Sequence, residues 1–382
     1  NKQYTFEDLF NNPSLISTTP YHNAPYLNTF TYTIDPNSHN YNRLAQRPEL
    51  IQMANGLKEL YSRWKDSFDT SNMRQYYDSF QIPKRSGGLR HIDAPKPDLM
   101  SCLTEFKNFL QHNLKMLPHN NAFAYVQTRS AYAAVQKHQK ANSRWFLKLD
   151  IKDFFPSCDK ELIINTFRNL YPTAILIEKD PEFHAALLHF VDLCLLDVGA
   201  NGEQGLPQGT PASPLLTNLI MVAADEAIRK YCTNTPFKTR LTYTRYADDI
   251  ILSAEYDFPW KDVQNDIQEI LHNISPKFYI KQSKTRYGSS AGSNWNLGYM
   301  LNRHNNITLG YKEKRRFKSM IFSFLKDLTD GVAWNIIDVQ TLQGRMEYHR
   351  QTEPDFVKDT IDKYNKKFGK NLMQEIRKIL RS

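Results

Sequence analysis

Three aspartates combine in a way that calls for a cation. Asp150 closes an apolar run, Phe146 to Ile151. Asp248 and Asp249 stand side by side between two more, Leu241 to Tyr246 and Ile250 to Ala254. Such runs read as strands, the second and third joined by a tight Ala247-Asp248-Asp249 connection. Adjacent acids at a tight turn repel, and a strand-end acid placed opposite makes the repulsion worse. A hard divalent cation such as Mg²⁺ resolves it, because it takes carboxylate oxygens and shares them with substrate phosphates. Two such ions roughly 3.5–4 Å apart can activate a 3′-hydroxyl and stabilise the leaving oxygen of an in-line displacement. An Asp-Asp pair alone is read equally well as a solvated turn, so the rest of the chain has to decide.

The elements that would carry these acids follow from periodicity. Pro48 to Lys65 reads as a helix after an irregular, Pro-broken start. Gln81 to Pro97, with Gly87-Gly88, reads as a hairpin. Leu103, Phe106, Leu110, Leu114 and Leu117 recur at helical steps across Ser101 to Leu117. Trp145 to Ile151 is a strand and Phe183 to Leu196 a helix. Ser213 to Tyr231 reads as one long helix, with Pro214 tolerated in its first turn. Trp260 to Ile274 is amphipathic, and residues 312–382 look helical almost throughout. The order predicts an α+β fold, a small antiparallel sheet backed by helices.

Composition agrees with a basic, foldable chain. Its 382 residues suggest two or three domains, and 41% hydrophobic content can fill a core. The net charge is +9. Lys84 to Lys148 carries 11 basic against three acidic residues, and Lys312 to Ser382 carries 16 against 10, so the remainder is net acidic. Basic lobes around an acidic centre suit a polyanion held at the edges and processed in the middle. Cys102, Cys158, Cys194 and Cys232 are far apart, which disfavours a disulfide or zinc framework and suits a reducing cytoplasm. Asn1 to Phe10 lacks an apolar leader, and Leu215 to Ala224 is too short for a span of about 20 residues, so no membrane role is expected.

The acids sit within longer motifs. Thr244-Arg245-Tyr246-Ala247-Asp248-Asp249 resembles the Tyr-x-Asp-Asp signature of reverse transcriptases. Lys148-Leu149-Asp150-Ile151-Lys152-Asp153-Phe154-Phe155 resembles their first catalytic strand, and Leu206 to Pro214 resembles the Pro-Gln-Gly-x-x-x-Ser-Pro loop between the two. All three occur in family order. Ile82-Pro83-Lys84 with Gly88 and Arg90 is similar to the fingers motif of group II intron and retron enzymes, and Asn121 to His138, with Arg129, to their next block. Ser283-Lys284-Thr285 and Leu297-Gly298-Tyr299 are similar to the two motifs that follow the active hairpin. The resemblance runs from about Gln81 to Leu309.

It implies a right-hand polymerase fold and RNA-directed DNA synthesis. The implied division is an N-terminal extension at 1–75, fingers at 76–145, a palm at 146–305 with an insertion near 160–203, and a helical thumb at 306–382. Asp150, Asp248 and the Ile151 carbonyl would hold two Mg²⁺ ions, for which Mn²⁺ substitutes, with Asp249 beside them. Lys84 and Arg90 would lie over the incoming dNTP, Arg as a fork and Lys as a point charge. Phe155 would stack beneath the sugar and exclude a 2′-hydroxyl, or else be a core aromatic, as Phe154 is expected to be. Gln208 and Gly209 would approach nucleotide and template. Lys284 is a candidate general acid for pyrophosphate release or a solvated lysine. Arg129, Tyr246, Leu297, Gly298, Tyr299, Arg315, Arg316 and Lys318 would contact the RNA–DNA duplex.

Subfamily features narrow the expectation. No paired Cys/His module follows the thumb, and the chain stops short of a large maturase domain. The Asn-Ala-x-x-His element of retron enzymes is absent from Asp159 to Leu196, and Asn296-Leu297-Gly298 replaces their Val-Thr-Gly. The Gln-Gly loop that diversity-generating enzymes alter is intact. Elimination leaves a stand-alone bacterial enzyme, retron-like or serving antiphage defence, with defence favoured. A palm-fold RNA polymerase, which Phe155 opposes, and a non-catalytic scaffold, which the intact acids oppose, are the rivals. A structured non-coding RNA is expected as template or primer, with residues 1–75 and the thumb as recognition surfaces. There Tyr21, Tyr26, Tyr32 and Tyr41 could stack on unpaired bases or simply pack on the fingers.

Overall fold

The computed structural model describes residues 45–83, 88–114, 118–237, 239–290 and 297–381. Tyr21, Tyr26, Tyr32, Tyr41 and Lys84 lie outside them. The chain forms two compact units. The first holds the described residues up to Ser130, Leu147–Leu252 and Phe258–Arg286; the second holds Ala131–Phe146, Ser253–Asp257 and the described residues from Tyr287 on.

Helix α1 (Pro48–Trp64) starts where Pro48 fills a first-turn position that needs no N–H. Its buried Leu50, Met53, Ala54, Leu57 and Leu60 form one face, which packs on α6. The hairpin pairs β1 (Tyr77–Pro83) with β2 (Leu89–Pro95), from Tyr77 opposite Pro95 to Pro83 opposite Leu89. It starts four residues earlier than its turn signal suggests. Helix α2 (Pro97–Asn113) likewise begins earlier than the Leu periodicity, at a proline, and Leu114 already leaves helical geometry.

Then come α3 (Ala131–Lys140), β3 (Trp145–Asp150), α4 (Lys160–Asn169), α5 (Thr173–Lys179) and α6 (Pro181–Leu193). Asp159 and Asp180 cap α4 and α6, each accepting a backbone N–H with its carboxylate. The expected insertion is therefore a run of short helices. The expected long helix is two, α7 (Ser213–Ile220) and α8 (Val222–Thr233), separated at Met221 (φ −80°, ψ −4°). No proline or glycine marks that joint, so its apolar pattern runs through it.

Strands β4 (Thr242–Tyr246) and β5 (Asp249–Ala254) follow, then α9 (Trp260–Ile274), buried along Val263, Ile267, Ile270 and Leu271. With β6 (Arg286–Ser289) they complete a four-stranded sheet in the order β4-β5-β3-β6. That order sets the end of β3 next to the start of β5. The acids of both strands meet there.

In the second unit a short pair, β7 (Met300–Leu301) and β8 (Ile307–Thr308), precedes four helices. These are α10 (Gly310–Thr329), α11 (Ile336–Thr352), α12 (Pro354–Phe368) and α13 (Leu372–Arg381). They enclose their own core, with Phe317, Phe324, Leu342, Met346 and Leu372 fully buried. The four cysteines are buried and none is in a disulfide. Among the described residues no helix is long and apolar enough to cross a membrane.

Candidate active site

Asp150 is buried at the end of β3, and Asp248 and Asp249 occupy the turn from β4 into β5. The turn needs a left-handed residue, Ala247 at φ 57°. The Asp248 carbonyl accepts the Ile151 N–H at 3.0 Å, which stitches the two acid-bearing segments together. On the other side the Lys281 N–H donates to the Asp150 carbonyl and the Lys152 N–H to Tyr279, both at 2.8 Å. Residues 279–281 therefore run alongside Asp150, and the short turn Gln282–Lys284 presents a lysine to it.

Lys284 Nζ lies 2.6 Å from Asp150 and Lys148 Nζ 2.8 Å from Asp249. Burial, then the fields of Asp249 and Asp150, push the Asp248 carboxyl up to about 6. Burial also raises Asp249, with Lys148 pulling the other way. Burial works against the charge of Lys284, but its bond to Asp150 and the fields of the three acids outweigh it and raise its pKa.

Backbone contacts join Phe155, Gln208 and Gly209 to each other and to strand β2, which carries Arg90. The Leu206 N–H donates to the Phe155 carbonyl at 3.2 Å, and the Asp93 N–H on β2 donates to the Gln208 carbonyl at 2.8 Å. Gly209 has φ 121°, and a Cβ there would sit 2.7 Å from the Asp93 carbonyl. The close approach that requires this glycine is thus to the hairpin, not only to a nucleotide. Phe155 is half-buried, edge-on to Tyr125 at 6.4 Å, whereas Phe154 is core. Arg90 is exposed on β2, opposite Ile82.

The reverse transcriptase (RNA-dependent DNA polymerase) family model matches residues 82–319. The chain belongs to the reverse transcriptase family. It is 28% identical to the retron Ec83 reverse transcriptase of Escherichia coli over 79% of this chain and 90% of that one. It is 29% identical to the Ec73 enzyme of the same organism over 75% and 86%, and 31% identical to the Mx162 enzyme of Myxococcus xanthus over 54% and 41%. Among solved structures, Candida tropicalis telomerase aligns with 84% of this chain and 66% of its own at 12% identity and a TM-score of 0.43. The chain spans 55% of that telomerase's C-terminally truncated form, at a TM-score of 0.40.

Several residues of this reverse transcriptase take places the motifs did not foretell. Lys148 lies inside the first catalytic motif, yet only the fold reveals it as the partner of Asp249. Tyr125 (φ 61°), exposed and beside Phe155, had no signal. Arg129, expected on nucleic acid, donates instead to the carbonyls of His119 and Ala122 at 2.5 and 2.7 Å. Its charge is committed to holding that loop. Leu297-Gly298, expected to contact the duplex, forms a turn, with positive φ at both residues (59° and 89°). Tyr299 is buried between Tyr132 and Tyr348 rather than offered to a duplex. Tyr246 is half-buried at the end of β4. On α10, Arg315, Arg316 and Lys318 are exposed, with Lys318 over the Phe356 ring at 5.3 Å, while Lys314 pairs with Glu353 at 2.5 Å.

Among the described residues no group of three or more acidic, histidine or cysteine side chains is placed to hold a metal ion by itself. The donor set nevertheless fits a hard divalent cation. It consists of carboxylates in a sheltered place, where burial and then mutual repulsion raise Asp248, with ammonium groups on Asp150 and Asp249 supplying the positive charge.

That repulsion has a measurable sign. Asp248 ionises less readily in the fold than its ordinary 3.8, so its charge costs stability above about pH 6. A shift of this size corresponds to at most ~3 kcal/mol. Asp248→Asn should raise Tm at pH 8 in EDTA, and the gain should shrink as pH falls through 6 and Asp248 protonates in the parent. A lower Tm than the parent at pH 8 would show that the turn is not charge-frustrated.

Proposed function

We propose that the chain is a retron-type reverse transcriptase that copies a structured RNA into DNA by two-metal nucleotidyl transfer. The observation that carries this is the convergence of Asp150, Asp248 and Asp249 in one lysine-lined site; the similarity to retron enzymes along most of both chains supports the type. In this reading the hairpin with its flanking helices is the fingers, the four-stranded sheet the palm and the last four helices the thumb.

Asp150 and Asp248, with the Ile151 carbonyl, would hold two Mg²⁺ or Mn²⁺ ions, which supply the positive charge that activates a primer 3′-hydroxyl and steadies the departing pyrophosphate. Lys148 holds Asp249 in place. Lys284, half-exposed, is free to exchange Asp150 for a phosphate oxygen and to deliver a proton to the leaving group. Arg90 binds the triphosphate from the hairpin, with Lys84, outside the described residues, as the second cation that the motif implies. Phe155, backed by Tyr125, lies beneath the sugar, and Gln208 and Gly209 face nucleotide and template. Exposed Arg315, Arg316 and Lys318 grip duplex phosphates without reading sequence. The turn at Leu297 and Gly298 presents its backbone to the primer, and Tyr246 borders the duplex end.

Primer extension on a defined RNA template tests this directly. The parent chain should incorporate dNTPs with Mg²⁺, and Asp248→Asn with Asp249→Asn should abolish incorporation while leaving the circular-dichroism spectrum unchanged. Near-normal activity of the double variant would remove the site assignment. Incorporation of rNTPs in preference to dNTPs by the parent would favour an RNA polymerase instead.

In the same assay Phe155→Val should raise the rate with rNTPs relative to dNTPs. An unchanged ratio returns Phe155 to a packing role.

The RNA partner is tested by sequencing what copurifies with the chain. One strongly enriched, structured non-coding species is expected, and a broad sample of transcripts would count against a dedicated RNA. Plaque counts with and without the two Asn substitutions test the proposed part in antiphage defence.

A further inference from the structure

Among the described residues the largest fully buried side chain is a charged one, Arg245, and it lies just ahead of the Asp248–Asp249 turn. Its guanidinium meets Asp225 of α8 as a fork, Nε to Oδ1 and Nη2 to Oδ2, both at 2.7 Å, with neither side chain exposed. Nη2 also donates to Asn218 at 3.1 Å, and Nη1 donates to the Ala247 carbonyl at 3.1 Å. Tyr243 donates its hydroxyl to the same Asp225 at 2.5 Å, and Asn218 donates to the Ala124 carbonyl at 2.8 Å. The backbone of Arg245 is held as well, its N–H by Asn121 at 2.7 Å and its carbonyl by Phe123 at 2.8 Å.

A buried pair of this kind adds little stability, because desolvation offsets the attraction and apolar residues of equal volume serve as well. Its distinctive contact is therefore the one to Ala247. That residue has positive φ, and its carbonyl belongs to the peptide that leads into Asp248. The carbonyl on the far side of Asp248 is held by Ile151. With both flanking peptides fixed, the direction in which the Asp248 side chain leaves the backbone is fixed.

We propose that Arg245, anchored by Asp225, is a positioning residue that sets the catalytic turn so that Asp248 faces Asp150. The inference rests on the polymerase reading of the site. Arginine is required by geometry: one planar group spans Asp225 and Ala247 together, whereas a lysine ammonium is a single point on a flexible stem.

The test is Arg245→Lys in primer extension, with Tm, template–primer Kd and the Mg²⁺ concentration for half-maximal rate measured in parallel. Lysine keeps the charge beside Asp225 and gives up the second contact. The variant should fold and bind template–primer like the parent. Its kcat should fall about 10- to 100-fold and its Mg²⁺ requirement should rise, the size typical of groups that orient metal ligands. The pair Arg245→Met with Asp225→Leu removes both charges at similar volume and should likewise keep Tm near the parent while losing rate. A folded variant with kcat within about threefold of the parent and an unchanged Mg²⁺ requirement overturns the proposal. Loss of the fold in both variants also overturns it, since the cluster would then be structural. Failure of the parent chain to extend any primer would instead overturn the polymerase reading.

Discussion

Like charge held at close quarters is the constraint around which this reverse transcriptase is built. Two adjacent acids on a tight turn face a third at the end of a neighbouring strand, in a place sheltered enough that Asp248 gives up its proton only near pH 6. No arrangement of side chains alone would choose this geometry, so the backbone imposes it. The strand order sets β5 against β3, and one hydrogen bond from Ile151 to Asp248 fixes their registration where the charges meet. Stability lost at functional sites in this way is recovered in the surrounding packing.

The cations around the acids divide into two kinds. Lys284 is half-exposed, and its long stem can leave Asp150 when a stronger positive charge or a phosphate arrives. Arg245 is wholly buried, with every nitrogen engaged, and cannot leave without stranding Asp225 in the core. One charge is exchangeable and faces the chemistry. The other is permanent and faces the scaffold.

How much of this was legible in the sequence depends on range. The three acids, the strands that carry them and helix α9 were readable, because periodicity and motif spacing are local properties. Helix starts at Pro48 and Pro97 belong to the same class, although the Leu periodicity placed the second too late. The joint at Met221 was not readable, since nothing in its side chain demands a break. Nor was the fate of the cations: Arg129 and Lys314 look like surface charge in a basic run, and only the fold shows that a loop's carbonyls take one and Glu353 the other. The pairing of Asp225 with Arg245 joins a helix to a strand beyond a long connection, and no spacing rule reaches that far.

The Gln208-Gly209 loop shows how a motif can be conspicuous for more than one physical reason. Its glycine suits close approach of a nucleotide, but the fold already demands it, because the Asp93 carbonyl stands where a side chain would begin. Asp93 is in turn fixed by Arg74, Ser79 and His91, all on its buried carboxylate, and Arg74 reaches on to Asp197. The hairpin that carries Arg90 is thereby docked on the loop that carries Gln208. Any movement of one must carry the other, or break a backbone hydrogen bond and uncover a buried acid. The hairpin and the Gln208 loop are therefore coupled, while the exposed Arg315 and Arg316 belong to the other compact unit, which has a hydrophobic core of its own.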